Sequence, residues 1–383
     1  MNNFFDGAYG KYLLPGVLIQ SVLIGGGYAT GREVYEYGAK FGAYGWVSGI
    51  TIAIGFALLA VLTFELCRIY KTYDFKSFIE KVIGPLWPVF DALYVILMVF
   101  IIAIMAAATG SIVQSVLHLP MLFGEGLVIL IVGILNFYGD EIIEKFETVG
   151  TVLLYAGYIL FTIMVLSKYG DNIGPVLASD TTASYQGEFS MGLAVWTGIL
   201  YVAYNICAIP MGMFSLKRQT ERKETFLSGL FAGLLMTIPW FLTYFAMLCF
   251  YNDPKVVGAN VATPWTEMIQ RTTDSPLILT LFSIVLGWTL IETATGCIHA
   301  LIVRINAAYV KKGEKPMSRG VKGGMTIGIL ALSLILSQVG VIDLIGSGYM
   351  YLAYAYILLY LVPVCTIGVY KILTYKETTK TEE

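Results

Sequence analysis

From Tyr12 to Leu373 the chain returns repeatedly to apolar stretches longer than the roughly 20 residues a helix needs to cross a bilayer. Backbone N–H and C=O groups cannot be left unpaired in hydrocarbon, so such stretches fold as helices. Of the 383 residues, 57% are hydrophobic and 13% charged, against about 45–50% and about 25% in a soluble domain. The expected fold class is an all-α polytopic membrane protein. The opening residues, MNNFFDGAYGKY, offer no basic leader with a small-residue cleavage site, so the first span is expected to be retained rather than removed as a signal peptide. A net charge of −2 and the lack of a basic block give nucleic acid no footing. The five cysteines show no metal-ligand spacing and read as small hydrophobes in helix contacts.

The pattern predicts ten spans, near residues 12–37, 43–69, 86–118, 121–138, 141–168, 189–216, 223–251, 276–310, 323–338 and 341–373. With the amino terminus in the cytoplasm, 19 of the 24 lysines and arginines fall on the cytoplasmic side. They cluster at residues 68–81, 217–223, 304–322 and 371–380, leaving Arg32, Lys40, Lys168, Lys255 and Arg271 outside. That asymmetry orients a cell-membrane protein with both termini cytoplasmic. Spans 3 and 8 are long, 4 and 9 short, 5 and 10 long. The expected organisation is therefore two inverted repeats of five helices, residues 1–183 and 184–373, with a polar tail over 374–383.

One span is interrupted. The stretch IGGGYATGREVYEYGAKFG (residues 24–42) places three consecutive glycines inside span 1, each costing roughly 0.5–1 kcal/mol relative to alanine in a helix interior. Its partner in the second repeat, span 6, reads MGLAVWTGILYVAYNICAIPMGMFSLKR, with Tyr204 and Asn205 at mid-depth and Pro210 as helix breaker. Irregular backbone at that depth is tolerated where it is buried or lines a cavity. Paired interruptions in inverted halves mark the binding site of secondary transporters. Half-helix amino ends present amides and a positive dipole to an anion, and carboxyl ends present carbonyls to a cation. The alternative is close helix packing on glycine and a simple proline kink.

The ten-span count and the two interruptions resemble the amino acid–polyamine–organocation superfamily, with its LeuT-type fold. The stretch LIGGGYATGREVYEYGAKFG is similar to the opening of YkvI-type bacterial membrane proteins. The resemblance implies a bundle of spans 1, 2, 6 and 7 that rocks against a scaffold of spans 3, 4, 8 and 9. It also implies that the amides of Gly25, Gly26 and Gly27 hold a substrate carboxylate, with Tyr28, Tyr201, Tyr204 and Asn205 lining the pocket. The Asp-Pro-Gly-Asn and Met-Pro-His sequences of Nramp-type metal transporters are missing, which disfavours a divalent-metal cargo, and no metal site is expected.

Span 8, VLGWTLIETATGCIHALIVRIN, carries Glu292 near mid-membrane, where a charge costs at least ~2.5–3.5 kcal/mol. Thr289, Glu292, Thr293, Gly296 and His299 share one helical stripe, which must face protein or water. In sodium-coupled members of the fold, adjacent hydroxyls of this helix meet span 1 carbonyls around the ion. By that likeness the carbonyls of Ser21 and Ile24 join Glu292 and Thr293. Either the carboxylate binds sodium directly, or burial raises its affinity for a proton that His299 passes on. The proton reading is preferred slightly. A third reading leaves Glu292 hydrogen-bonded to a neighbour. Arg32 and Glu33 are expected as a gate pair, or alternatively as a solvated helix end. The tyrosines of span 10 read as packing or an interfacial belt, and Glu65 with Arg68 as an ordinary helix-end pair.

Catalytic signatures such as HExxH, Walker A and GxSxG are lacking, so no enzyme and no cofactor beyond a coupling ion, H+ or Na+, is expected. The expected function is a secondary active transporter of a small amino-acid-like zwitterion or amine, working by alternating access. The alternative is a membrane subunit that senses such a ligand without transporting it. The partners are the lipid bilayer and a small-molecule substrate; the sequence leaves the oligomeric state open.

Overall fold

Long apolar runs satisfy their backbone within the segment, and the computed structural model is built accordingly. It describes residues 7–25, 28–138, 140–311, 313 and 315–376. All regular elements among them are helical. After a wide turn over Tyr9–Leu13, helix α1 (Leu14–Leu23) begins with Pro15 in its first turn, where its missing N–H leaves no bond unmade. Regular helix then stops, and α2 (Arg32–Glu36) resumes beyond the glycines.

There follow α3 (Gly45–Tyr70), amphipathic α4 (Phe75–Ile83), α5 (Trp87–Leu117), α6 (Met121–Tyr138) and α7 (Asp140–Tyr169). In the second half, α8 (Met191–Tyr204) gives way to a tight turn over Asn205–Ala208 before the short α9 (Ile209–Gly212). Then come α10 (Arg222–Leu248), α11 (Pro264–Thr272), α12 (Pro276–Lys311), α13 (Arg319–Ser337) and α14 (Val341–Thr374). The helix α14 widens into π turns at Leu344–Gly348, Ile357–Leu361 and Val364–Gly368.

Six helices among the described residues, carried by α3, α5, α10, α12, α13 and α14, are long and apolar enough to cross a membrane. They start and stop within a few residues of the expected spans. Their surface is inverted relative to a water-soluble protein: on α13, Ile327 and Ile335 are about two-thirds exposed while Ser333 and Thr326 are buried. Lipid, not water, is the solvent this surface fits, and the chain is a multi-pass membrane protein.

The helices form two groups. In one, α3 packs along α10 and α8, and α1 lies against α10 and α9. In the other, α5, α6, α12 and α13 pack mutually, with α7 against α12. This is the partition that the resemblance implies. Lipid tails are as apolar as leucine, so close packing must hold the first group together. Gly229 and Gly233 of α10 lie so near α3 that a Cβ on either would sit 2.6 Å from the Cα of Val61 or Ala57.

At the end of α3, Glu65 exceeds the helix-end pair expected of it. It is buried, accepts two bonds from Arg68 and a third from the Thr225 hydroxyl at 2.7 Å, and so ties α3 to α10. The Lys11 ammonium donates to Glu224, which also closes the capping box of α10. The tyrosines of α14 divide between both expected roles. Tyr351 and Tyr354 face outward, whereas Tyr349, Tyr356 and Tyr360 are buried. Most of the polar tail, residues 377–383, lies outside the described residues.

Replacing Gly233 by leucine should destabilise the protein by about 1–3 kcal/mol through overpacking of α10 on α3. Thermal unfolding in detergent would show a lowered midpoint; an unchanged one would mean that the two helices separate at little cost.

Candidate functional site

Where span 1 leaves the helix, its backbone groups must find partners elsewhere. Ile24 still donates to Gln20 O at 2.9 Å, closing α1. Beyond the glycines the Tyr28 carbonyl accepts from the Tyr158 hydroxyl of α7 at 3.0 Å and from the Gly31 amide at 2.9 Å. The Thr30 carbonyl accepts from the backbone amide of Trp265, the second residue of α11, at 3.0 Å. The Trp265 indole in turn reaches the Thr243 hydroxyl at 3.3 Å. Gly31 starts α2 with φ of +84°, a conformation that glycine adopts without strain. The expected ligands Gly26 and Gly27 lie outside the described residues.

On the other side of the break, Gly25 meets α12. A Cβ added there would land on the Thr293 side chain, so only a bare backbone lets span 1 approach span 8 this closely. Of the expected ion-coupling residues, Thr293 is thus brought to the break. Thr289 is buried one turn away with its hydroxyl donated to Val285 O at 2.9 Å. Glu292 and His299 are half-buried on the same helix. Ser21 sits in the last turn of α1 and Ile24 directly after it, at the edge of the break. In the same helix, Gln20 is fully buried and neither polar atom of its amide has a partner.

The second interruption departs from expectation in one respect. Pro210 does not break the helix; it occupies the first turn of α9, a position proline tolerates. The change of course comes earlier, in the turn from Asn205 to Ala208, where the Asn205 side chain donates to Tyr201 O at 2.9 Å. Tyr201 and Tyr204 are buried on the last turn of α8.

Arg32 and Glu33 are not a solvated helix end: both are buried, and the 258–261 segment closes over Arg32. Nor does Arg32 pair with its neighbour. Its guanidinium donates to the carbonyls of Gly258, Ala259 and Val261 at 3.3, 2.8 and 3.0 Å, and to Glu36 at 3.0 Å. Glu36 is also held by Lys40 at 2.6 Å. Glu33 turns to the other side and accepts from the Tyr204 hydroxyl at 2.6 Å. That bond joins the two interrupted spans directly.

Around it the rings of Tyr37, Tyr201 and Tyr204 stand 5.3–5.5 Å apart pairwise. Tyr349 of α14 stacks on Tyr204 at 4.4 Å, Phe56 of α3 meets Tyr201 edge-on at 5.9 Å, and Tyr158 flanks Tyr28 at 6.4 Å. Sequence reasoning missed Tyr37, Phe56, Tyr158, Trp265 and Tyr349 as members of this site. Tyr37 alone left a signal, lying one helical turn after Glu33.

No family model matches the chain, and neither does any curated protein. Its fold is found among solved transporters. MhsT, solved in complex with L-phenylalanine, superposes with a TM-score of 0.64 at 15% identity, covering 96% of this chain and 97% of that one. A Na+-coupled sialic acid symporter gives 0.56 at 15% identity over 94% and 87%. A variant of the Eremococcus coleocola manganese transporter gives 0.60 at 12% identity over 93% and 78%. Such likeness establishes the LeuT-type fold; the cargoes belong to those proteins.

Two outcomes are expected. Gly25→Ala should lower the melting midpoint, and adding Thr293→Gly should recover most of the loss. A double-mutant cycle with no coupling would mean the two backbones are not in contact. Arg32→Gln should release the 258–261 carbonyls and speed amide hydrogen exchange across residues 254–263 relative to the wild-type protein; unchanged exchange would show that Arg32 does not hold this segment.

Proposed function

We propose that the protein is a secondary active transporter of a small amino-acid-like zwitterion or amine, coupled to an ion gradient and working by alternating access. One observation carries this reading: the interrupted spans 1 and 6 meet, joined by the Tyr204–Glu33 bond, with Gly25 pressed on Thr293 of the opposite helix group. A site shared by two helix groups is one that their relative movement opens to alternate sides.

The two halves of span 1 are fastened at opposite faces. Lys11 and Gln219 hold the segment before α1, through Lys11–Glu224 and a 2.7 Å bond from Gln219 to Lys11 O. Arg32 and the Trp265 amide hold the segment after the break. In the cytoplasm-inside orientation the first set closes the inner entrance and the second the outer one, so Arg32 acts as a gate residue with the 258–261 loop. The glycine run presents backbone to the substrate carboxylate, and Tyr28, Tyr201, Tyr204 and Asn205 line the remaining wall. Thr293 and Glu292 act with the carbonyls of Ser21 and Ile24 as the ion-coupling locus in this reading, with the proton preferred over sodium and His299 as its inward relay. Thr289 supports the helix there.

Reconstituted into liposomes, the protein should accumulate a labelled amino acid or amine above its external concentration when a proton gradient is imposed, and collapse of that gradient should stop accumulation. Glu292→Gln should abolish the response to pH while ligand binding persists. Accumulation driven by sodium alone would reassign the ion, and saturable binding without gradient-driven accumulation would favour a sensor over a transporter.

A further inference from the structure

The rings gathered at the second interruption surround a carboxylate, and that combination has its own chemistry. Glu33 is buried and lies within electrostatic reach of Tyr28, Tyr37, Tyr201 and Tyr204. Of the phenols here, Tyr204 donates to Glu33, Tyr37 to Ile345 O at 3.3 Å and Tyr158 to Tyr28 O. The hydroxyls of Tyr28 and Tyr201 have no partner, although both side chains are fully buried. An unmade bond of that kind costs about 1–3 kcal/mol for each group, and two of them within electrostatic reach of one buried carboxylate call for a ligand to complete them.

The ligand's charge follows from the lining. An anion beside Glu33 would be repelled at low dielectric. A neutral polyol would use the hydroxyls but bring no positive charge to the buried carboxylate. An ammonium group uses everything present: its N–H donors suit the carboxylate and the phenolic oxygens, and its charge is attracted to the faces of tyrosine rings. We propose that Glu33, with the rings of Tyr37, Tyr201 and Tyr204 and the hydroxyls of Tyr28 and Tyr201, binds the ammonium group of an alkylamine or amino acid substrate. This rests on the transporter reading for the site's purpose but not for its chemistry. It reassigns Glu33 from gate to substrate ligand, and it orients the substrate. The cationic end lies toward α2 and α8, leaving any carboxylate to the glycine run at Gly25.

The test uses purified full-length protein in nanodiscs and three probes built on one side chain: a free L-amino acid, its carboxamide, which is purely cationic, and its N-acetyl form, which is purely anionic. The amino acid and the amide should raise the melting midpoint, and the N-acetyl form should not. Glu33→Gln should weaken both ammonium-bearing probes by about tenfold or more, as expected for loss of a buried charge-assisted bond.

Tyr201→Phe separates ligand binding from folding. Removing an unpartnered hydroxyl should leave the empty protein as stable as before, or more so, while reducing the midpoint shift given by the amide. Equal shifts from the N-acetyl form, unchanged affinity in Glu33→Gln, no shift from any ammonium probe, or a Glu33 dependence seen with sodium alone would each overturn the proposal. Amine binding through Glu33 without gradient-driven uptake in liposomes would leave this assignment standing and remove the transporter reading. Uptake indifferent to Glu33 would do the reverse.

Discussion

The structure turns on backbone groups that a broken helix leaves without partners. In hydrocarbon each such group costs several kcal/mol, so the interruption of span 1 persists only because neighbours supply bonds. Tyr158 of α7 takes the Tyr28 carbonyl and the Trp265 amide takes the Thr30 carbonyl. These partners come from different places in the fold, one the long helix α7 and the other the short helix α11. The break is therefore a junction that fixes the relative placement of α2, α7 and α11.

Once that junction exists, the site follows from it. With α2 held at this angle, Arg32 and Glu33 point to opposite sides. The guanidinium gathers the carbonyls of the covering segment, and the carboxylate faces inward to Tyr204. Two adjacent charges thereby take unrelated partners, one a set of loop carbonyls and one a buried phenol. Gly25 provides the counterpart on the other side, where a missing side chain lets Thr293 come up against the backbone. The phenol–carboxylate bond joins the two interrupted spans within the first helix group, and the contact of Gly25 with Thr293 brings that group against the second.

Much of the fold was legible because a membrane chain must write its spans as long apolar runs, and because breakers such as Gly25 and Gly31 are costly enough to stand out. The limits of α3, α5 and α12 could be read from hydropathy and punctuation to within a few residues. The candidate site was half legible. Tyr28, Tyr201, Tyr204 and Asn205 lie next to visible breaks in the chain. The misreading of Pro210 has a simple cause: proline forbids a bond to the preceding turn, yet the first turn of a helix needs none, and sequence alone does not tell a break from a restart.

What the sequence determined by itself is the solvent of this chain, the helical state of its spans and the positions where helix would fail, since these depend on local hydrophobicity and backbone propensity. What only the tertiary structure decided is who meets at those failures. Tyr37, Tyr158, Trp265 and Tyr349 are scattered over more than three hundred residues, and no periodicity connects them. Their convergence on Glu33 and Tyr28 depends on how two helix groups pack, and in lipid that packing is set by shape and by unmet hydrogen bonds rather than by a hydrophobic pattern that the sequence displays.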